Sequence, residues 1–139
     1  MDQHVDSFFS RYDEANRSSD FATLSKLYAD RFMFARSNES NVIERENFLR
    51  VLPLMKTNLR SMGLLESHVQ TVEAHPLDSN YLLAKVGWQM GIRSSSGTKY
   101  VDVFATFILA RSTEDSLSIV FQLDHQDLSA IIRSLQASE

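Results

Sequence analysis

The polar side chains of this sequence that could do chemistry are few, and the chemistry open to them is proton transfer. Tyr12 and Tyr28 sit on apolar stripes, His68 lies in a strand-like segment, Trp88 falls within an alternating apolar run, and Asp124 stands beside His125. A phenol, imidazole or carboxylate works as an acid or base near neutral pH only where apolar surroundings hold its pKa in a useful range. Tyr12, His68 and Asp124 are the candidate catalytic groups, with Asp102, set between Val101 and Val103, in reserve. Arg36 and the Trp88 indole are further polar groups at the margins. Covalent chemistry has little to draw on: the chain has no cysteine, and no activated nucleophile is in sight. The Asp124-His125-Gln126-Asp127 cluster contains metal-ligand residue types. Neighbours on a strand point to opposite faces, however, and Asp127 fits better as a helix cap, so no metal is expected there, nor any other cofactor. Ser94-Ser95-Ser96-Gly97 lacks the lysine and following helix of a phosphate loop and reads as a flexible turn. His75 before Pro76 reads as a turn residue.

The elements that must position these groups are helical first and extended later. Val5, Phe8, Phe9, Tyr12 and Ala15 recur at spacings of three and four, the pattern of an amphipathic helix. Asp20 is placed to cap a second short helix carrying Phe21, Leu24, Leu27 and Tyr28. Residues 31–36 read as a strand, followed by a turn-like Ser37-Asn38-Glu39-Ser40-Asn41. From Glu44 to Met62 the apolar residues Phe48, Leu52, Met55, Leu59 and Met62 keep helical spacing, Gly63 is placed to end the helix, and Pro53 is expected to kink or restart it. Residues 64–74 form a weak strand, and residues 128–135 a last helix.

Between these last two lies a meander of residues 81–93, 99–111 and 117–124, each alternating apolar and other side chains at period two. Leu82, Ala84, Val86, Trp88, Met90 and Ile92 share one face with Val101, Val103, Ala105, Phe107 and Leu109, and with Leu117, Ile119, Phe121 and Leu123. On that register the helix-facing stripe carries no ionisable side chain, and Asp102 falls on the outer face, near Lys85 and Arg93. The outer face mixes Leu83, Phe104, Ile108 and Val120 with polar groups, which suggests a homodimer packed sheet to sheet.

Composition fits a single soluble domain over residues 1–139, with 43% apolar and 23% charged residues. Acids and bases are interleaved around a net charge of -4, so no nucleic-acid or anionic-membrane footprint is expected. The absence of a long apolar stretch, and of a secretory pattern at Met1-Asp2-Gln3-His4, leads to a cytoplasmic expectation.

The order of two short helices, a strand, a longer helix and a strand meander ending in residues 117–125 resembles the nuclear-transport-factor-2-like superfamily, also called cystatin-like or SnoaL-like. Residues 8–12 and 20–28 resemble its opening helices, and residues 97–109 its long fourth strand; Leu117 stands where members often carry Trp. The resemblance implies an α+β fold, a cone-shaped, curved and mostly antiparallel sheet wrapped around the N-terminal helices. Members include ketosteroid isomerases, scytalone dehydratase, limonene epoxide hydrolase and polyketide cyclases, and the place of Asp102 resembles where ketosteroid isomerases keep a carboxylic acid. The expected pocket is lined by Phe8, Tyr12, Tyr28, Phe34, Met55, Trp88, Met90, Val103 and Phe121. It would take a hydrophobic small molecule, for isomerase, dehydratase or cyclase chemistry. The alternative is a non-catalytic dimeric module for ligand binding or protein interaction, its interior filled by the same residues.

Overall fold

Helix α1 (Gln3–Arg17) buries the stripe that its spacing foretells, Val5, Phe8, Phe9, Tyr12 and Ala15. A computed structural model of the chain describes residues 3–112, 114 and 116–137. The reading of Met1 and Asp2, and of Thr113 and Asp115 in the turn before residue 117, lies outside them. After a break at Ser19, which has a left-handed φ of 59°, Asp20 caps α2 (Phe21–Lys26) by accepting from the Thr23 amide at 3.2 Å. Tyr28 does not extend this helix as its spacing suggested. It opens strand β1 (Tyr28–Arg36), because pairing with the later strand takes up the backbone: the Ile119 amide donates to the Leu27 carbonyl at 2.9 Å.

Strand β2 (Glu39–Glu44) is a second departure, since its polar residues read as a turn. It lies at the sheet edge and is almost wholly exposed, which is why the apolar alternation of a strand is missing from it. Helix α3 (Arg45–Met62) runs as one element through Pro53, so of the expected kink or restart the restart does not occur. Pro53 is exposed, so the hydrogen bond it removes costs a carbonyl on the water-facing side. Gly63 ends the helix at φ +126° and passes the chain into β3 (Leu64–Pro76). Then follow β4 (Tyr81–Ser94), β5 (Gly97–Arg111), β6 (Leu117–Asp124) and α4 (Leu128–Ala137), capped by Asp127, which accepts from the Ala130 amide at 3.3 Å.

The strands form one open mixed sheet in the order β2-β1-β6-β5-β4-β3, parallel only between β1 and β6. The helices cover one face, where Phe9, Tyr12, Tyr28, Phe32, Phe48, Trp88 and Phe107 pack ring on ring, with Tyr28 4.5 Å from Phe32 and 4.6 Å from Phe48 between centroids. Among the described residues no helix is long and apolar enough to cross a membrane.

The β4 and β5 stripes coincide as alternation required, with Trp88 opposite Val103 and Ala84 opposite Phe107. Strand β6 breaks the pattern. Leu109 pairs with Ile119 but Ile108 pairs with Phe121, leaving Val120 as an extra residue in a β-bulge. One added residue inverts the faces beyond it. Phe121 and Leu123 therefore stand with Ile108 and Thr106 on the outer face, while Gln122 and Asp124 turn inward opposite Phe107 and Ala105. The helix-facing stripe does carry an ionisable side chain, and it is Asp124.

Candidate functional site

The inward turn of β6 sets two polar side chains against the tyrosines of the helix-covered face. Gln122 Nε2 donates to Asp124 Oδ1 at 2.9 Å, the Tyr28 hydroxyl donates to Gln122 Oε1, and the Tyr12 and Tyr28 hydroxyls lie 3.0 Å apart. The direction of this chain follows from chemistry. An ionised carboxylate only accepts, so Gln122 must face it with its amide N–H and present its carbonyl to Tyr28. Tyr28 then spends its one proton on Gln122 and accepts from Tyr12. All donors point toward Asp124, and among the described residues no buried side-chain polar atom lacks a partner.

Burial dominates the electrostatics. It raises the Asp124 pKa above the ordinary carboxylate value, while the Gln122 hydrogen bond and the nearby charges of Arg36 and His125 pull it partly back. Burial likewise pushes both tyrosine hydroxyls up, so they remain protonated donors across the physiological range. Asp124 is thus a stronger base than a solvated carboxylate, held in place by a relay of neutral donors.

Two adjoining cavities of about 180 and 150 Å³ meet at this group, sharing Tyr12, Asn16, Met90, Gln122, Asp124 and Leu128. The larger extends between α2 and α3 along Phe21, Leu52 and Leu59, and the smaller runs under Trp88, Val103 and Ala105. Together they reach the order of 300 Å³ at which small-molecule pockets begin. A wider depression of about 570 Å³ on the solvent side of α1 and α2 has a largely polar, charged lining, including Ser10, Arg11, Asp13, Glu14 and Arg17, and does not touch this network.

Of the residues nominated from sequence, Tyr12, Tyr28, Phe34, Met55, Trp88, Met90, Val103 and Asp124 line one or both lobes. Phe8 does not; it is fully buried in packed core and lines neither lobe. Phe121 is turned away by the Val120 bulge. His68 is also turned away: it pairs with Gln89 on the outer face, is exposed, and leaves its neighbour Ser67 facing inward opposite Met90. Irregularities in β3 between Leu64 and Glu66 and between Val69 and Thr71 set that parity. Asp102 is exposed opposite Gln89, on the face its register predicts. Asp13 and Asn16, which sequence reasoning passed over, dock α1 on β3: Asp13 Oδ1 accepts from the Val69 amide at 3.0 Å, and Asn16 Nδ2 donates to Ser67 Oγ at 3.2 Å. Gln122 was given no role: its spacing of two from Asp124 puts both on one face, but the regular register made that the outer face, and the Val120 bulge turns both inward. Among the described residues no three His, Asp or Glu side chains converge as a metal site.

A family described as NTF2-like protein (DUF6841) matches residues 1–127. No curated protein matches the chain in sequence. Among solved structures, an NTF2-like protein with a cystatin-like fold from Novosphingobium aromaticivorans superposes with a TM-score of 0.72 at 14% identity, over 96% of this chain and 86% of that one. ActVI-ORFA of Streptomyces coelicolor superposes at 0.71 with 12% identity, covering 89% of this chain and 95% of its own. Aln2 of a Streptomyces species gives 0.70 at 14% identity, over 94% and 93%. At such identities the likeness shows the fold alone, an α+β cystatin-like one.

Proposed function

This chain belongs to the NTF2-like family DUF6841, and on that footing we propose that it binds a small, largely hydrophobic molecule in the two-lobed cup and moves a proton on it with Asp124. The observation that carries the reading is the half-buried carboxylate at the junction of the lobes, fed by the one-way chain from Tyr12 through Tyr28 and Gln122. A raised carboxylate pKa suits abstraction of a carbon-bound proton next to a carbonyl and its return elsewhere, the step shared by isomerases, dehydratases and cyclases. Tyr12 and Tyr28 position the base and carry no charge themselves. Hydrolysis is less well served, since no activated nucleophile faces the cup.

Two measurements test this. Mass spectrometry of small molecules retained by the native protein should find an apolar ligand. Hydrophobic ketones that bind, incubated in deuterated water, should gain deuterium at the carbon beside the carbonyl with wild type and not with Asp124→Asn. Exchange at the buffer rate for every bound ketone would remove the catalytic part of the reading.

A second reading is favoured by how little of the interior is hollow: Phe9, Tyr12, Tyr28, Phe32, Phe48, Trp88 and Phe107 pack ring against ring beneath the helices, and each lobe alone is below ligand size. On that reading the domain is a non-catalytic module that acts as a homodimer through its outer sheet face, where Tyr81, Tyr100 and Phe104 are each more than 40% exposed.

A further inference from the structure

On α3 the residues Phe48, Leu52 and Lys56, four apart, line the larger lobe, and Arg60 is the next in the same row. Residues at this spacing stack on one side of a helix, so two cations continue a buried apolar row. Phe48 and Leu52 are buried, Lys56 is half-buried and Arg60 is exposed, and the row therefore runs from core to rim. Lys56 lines the larger lobe beside Leu59 and Leu64. Together with Arg60 it also walls an adjoining recess of about 170 Å³ that opens against Asn16, Arg17 and Ser67.

Like charges at this spacing repel. Burial first, and Arg60 next, hold the Lys56 ammonium below the usual lysine range. Its nearest partners are neutral: it donates to the Asn16 carbonyl and lies 5.9 Å from the centre of the Phe21 ring. Among the described residues no carboxylate forms an ion pair with Lys56 or Arg60. Arg17 is already paired with Asp13 at 3.6 Å, and Glu66, the acid of the recess, packs its side chain over Gly91 on the far side of the sheet.

We propose that the molecule held in the cup is an amphipathic carboxylic acid, its carboxylate at the rim between Lys56 and Arg60 and its apolar body in the lobe beneath. The inference rests on reading the cup as a ligand site and adds the class of ligand. Asp124 in the same lobe repels a second anion, so the head group is kept at the rim and the apolar end is directed toward the base. Asp124 in the lobe beneath also disfavours a dianionic phosphate.

The test is a titration of the full chain with octanoate and with 1-octanol at low salt, followed by ligand-observed NMR. Octanoate is expected to bind about tenfold more tightly, with the preference shrinking at high salt. It should vanish in the K56Q/R60Q double variant while octanol binding persists, which also shows that the variant folds. Equal binding of the two by wild type, or an octanoate preference that is undiminished in the double variant or at high salt, overturns the proposal. Octanol binding without that preference leaves the ligand cup standing and removes only the acid. Binding of neither removes both.

Discussion

Asp124 concentrates the chemistry of the molecule in one residue, and its effect on stability has a definite sign. Its folded pKa lies above its unfolded value, chiefly through burial, so folding takes up a proton between the two and stability falls as pH rises through that window. Above it the buried charge is a standing cost. Asp124→Asn keeps an acceptor for Gln122 and removes the charge, and it is expected to melt at a higher temperature than wild type at neutral pH. The gap should close as the pH drops below the ordinary carboxylate range, and thermal melts across pH would show it; a variant less stable than wild type at neutral pH would contradict the desolvated carboxylate. The tyrosines differ in rank although they look alike in sequence. Tyr28→Phe deprives Gln122 of its donor and Tyr12 of its acceptor, at a cost of about 1–3 kcal/mol for buried groups left unpaired. Tyr12→Phe removes only the first donor of the chain and should cost about 0.5–1.5 kcal/mol. Urea denaturation of both singles and the double should show non-additivity, since the two share one bond.

At the scale of elements, what sequence made legible was what periodicity controls. The α1 stripe, the β4 and β5 alternation, the Gly63 stop and the Asp127 cap all follow from local rules that tertiary packing respected. What escaped was parity. The β6 sequence Leu-Ser-Ile-Val-Phe-Gln-Leu-Asp fits a regular strand with Phe121 inward as well as a bulged one with Gln122 inward, because Val120 is apolar enough for either side. The same ambiguity on β3 misplaced His68, whose face depends on the irregularities on either side of it. Hence the pocket walls on helices and central strands were readable, and the polar centre was only half so: Asp124 was nominated but read, like Gln122, on the outer face, and Gln122 was given no role. The Gly63 joint is open to a direct test. Its φ of +126° is strained for a residue with a side chain, and an added Cβ would sit 2.6 Å from Gln136 Nε2, the group that ties α4 to the Met62 carbonyl at 2.7 Å. Gly63→Ala is expected to lose about 1–3 kcal/mol in chemical denaturation, with α4 loosened first in hydrogen exchange. A neutral substitution would mean that the joint relaxes freely.

For the whole molecule the open question is the outer face of the sheet. Phe104 is 49% exposed, yet its ring lies over Gly87, whose missing side chain leaves it room: a Cβ there would come within 3.1 Å of the ring and 2.5 Å of the Thr71 hydroxyl. Tyr100 pairs with Gly91, over which the Glu66 side chain packs. The bulge that brought Gln122 inward also moved Phe121 outward beside Ile108, so a single extra residue both supplied the cup with polar groups and added an aromatic ring to the opposite face. Met33 pairs with Phe121 across β1 and is itself 40% exposed, which extends the apolar surface toward the sheet edge. A second copy of the chain is the occupant we expect. Light scattering after size-exclusion chromatography should then give twice the chain mass at micromolar concentration. Phe104→Asp should give the single mass with an unchanged far-ultraviolet circular dichroism spectrum, because the substitution places a charge at the centre of the buried patch without touching the helix-covered core. Gly87→Ala should weaken association as well, by displacing the Phe104 ring, while costing about 1–3 kcal/mol of fold stability through overpacking. A wild-type chain that stays monomeric at high micromolar concentration would overturn the dimer. It would leave the cup intact, since the described lining of both lobes comes from one copy of the chain.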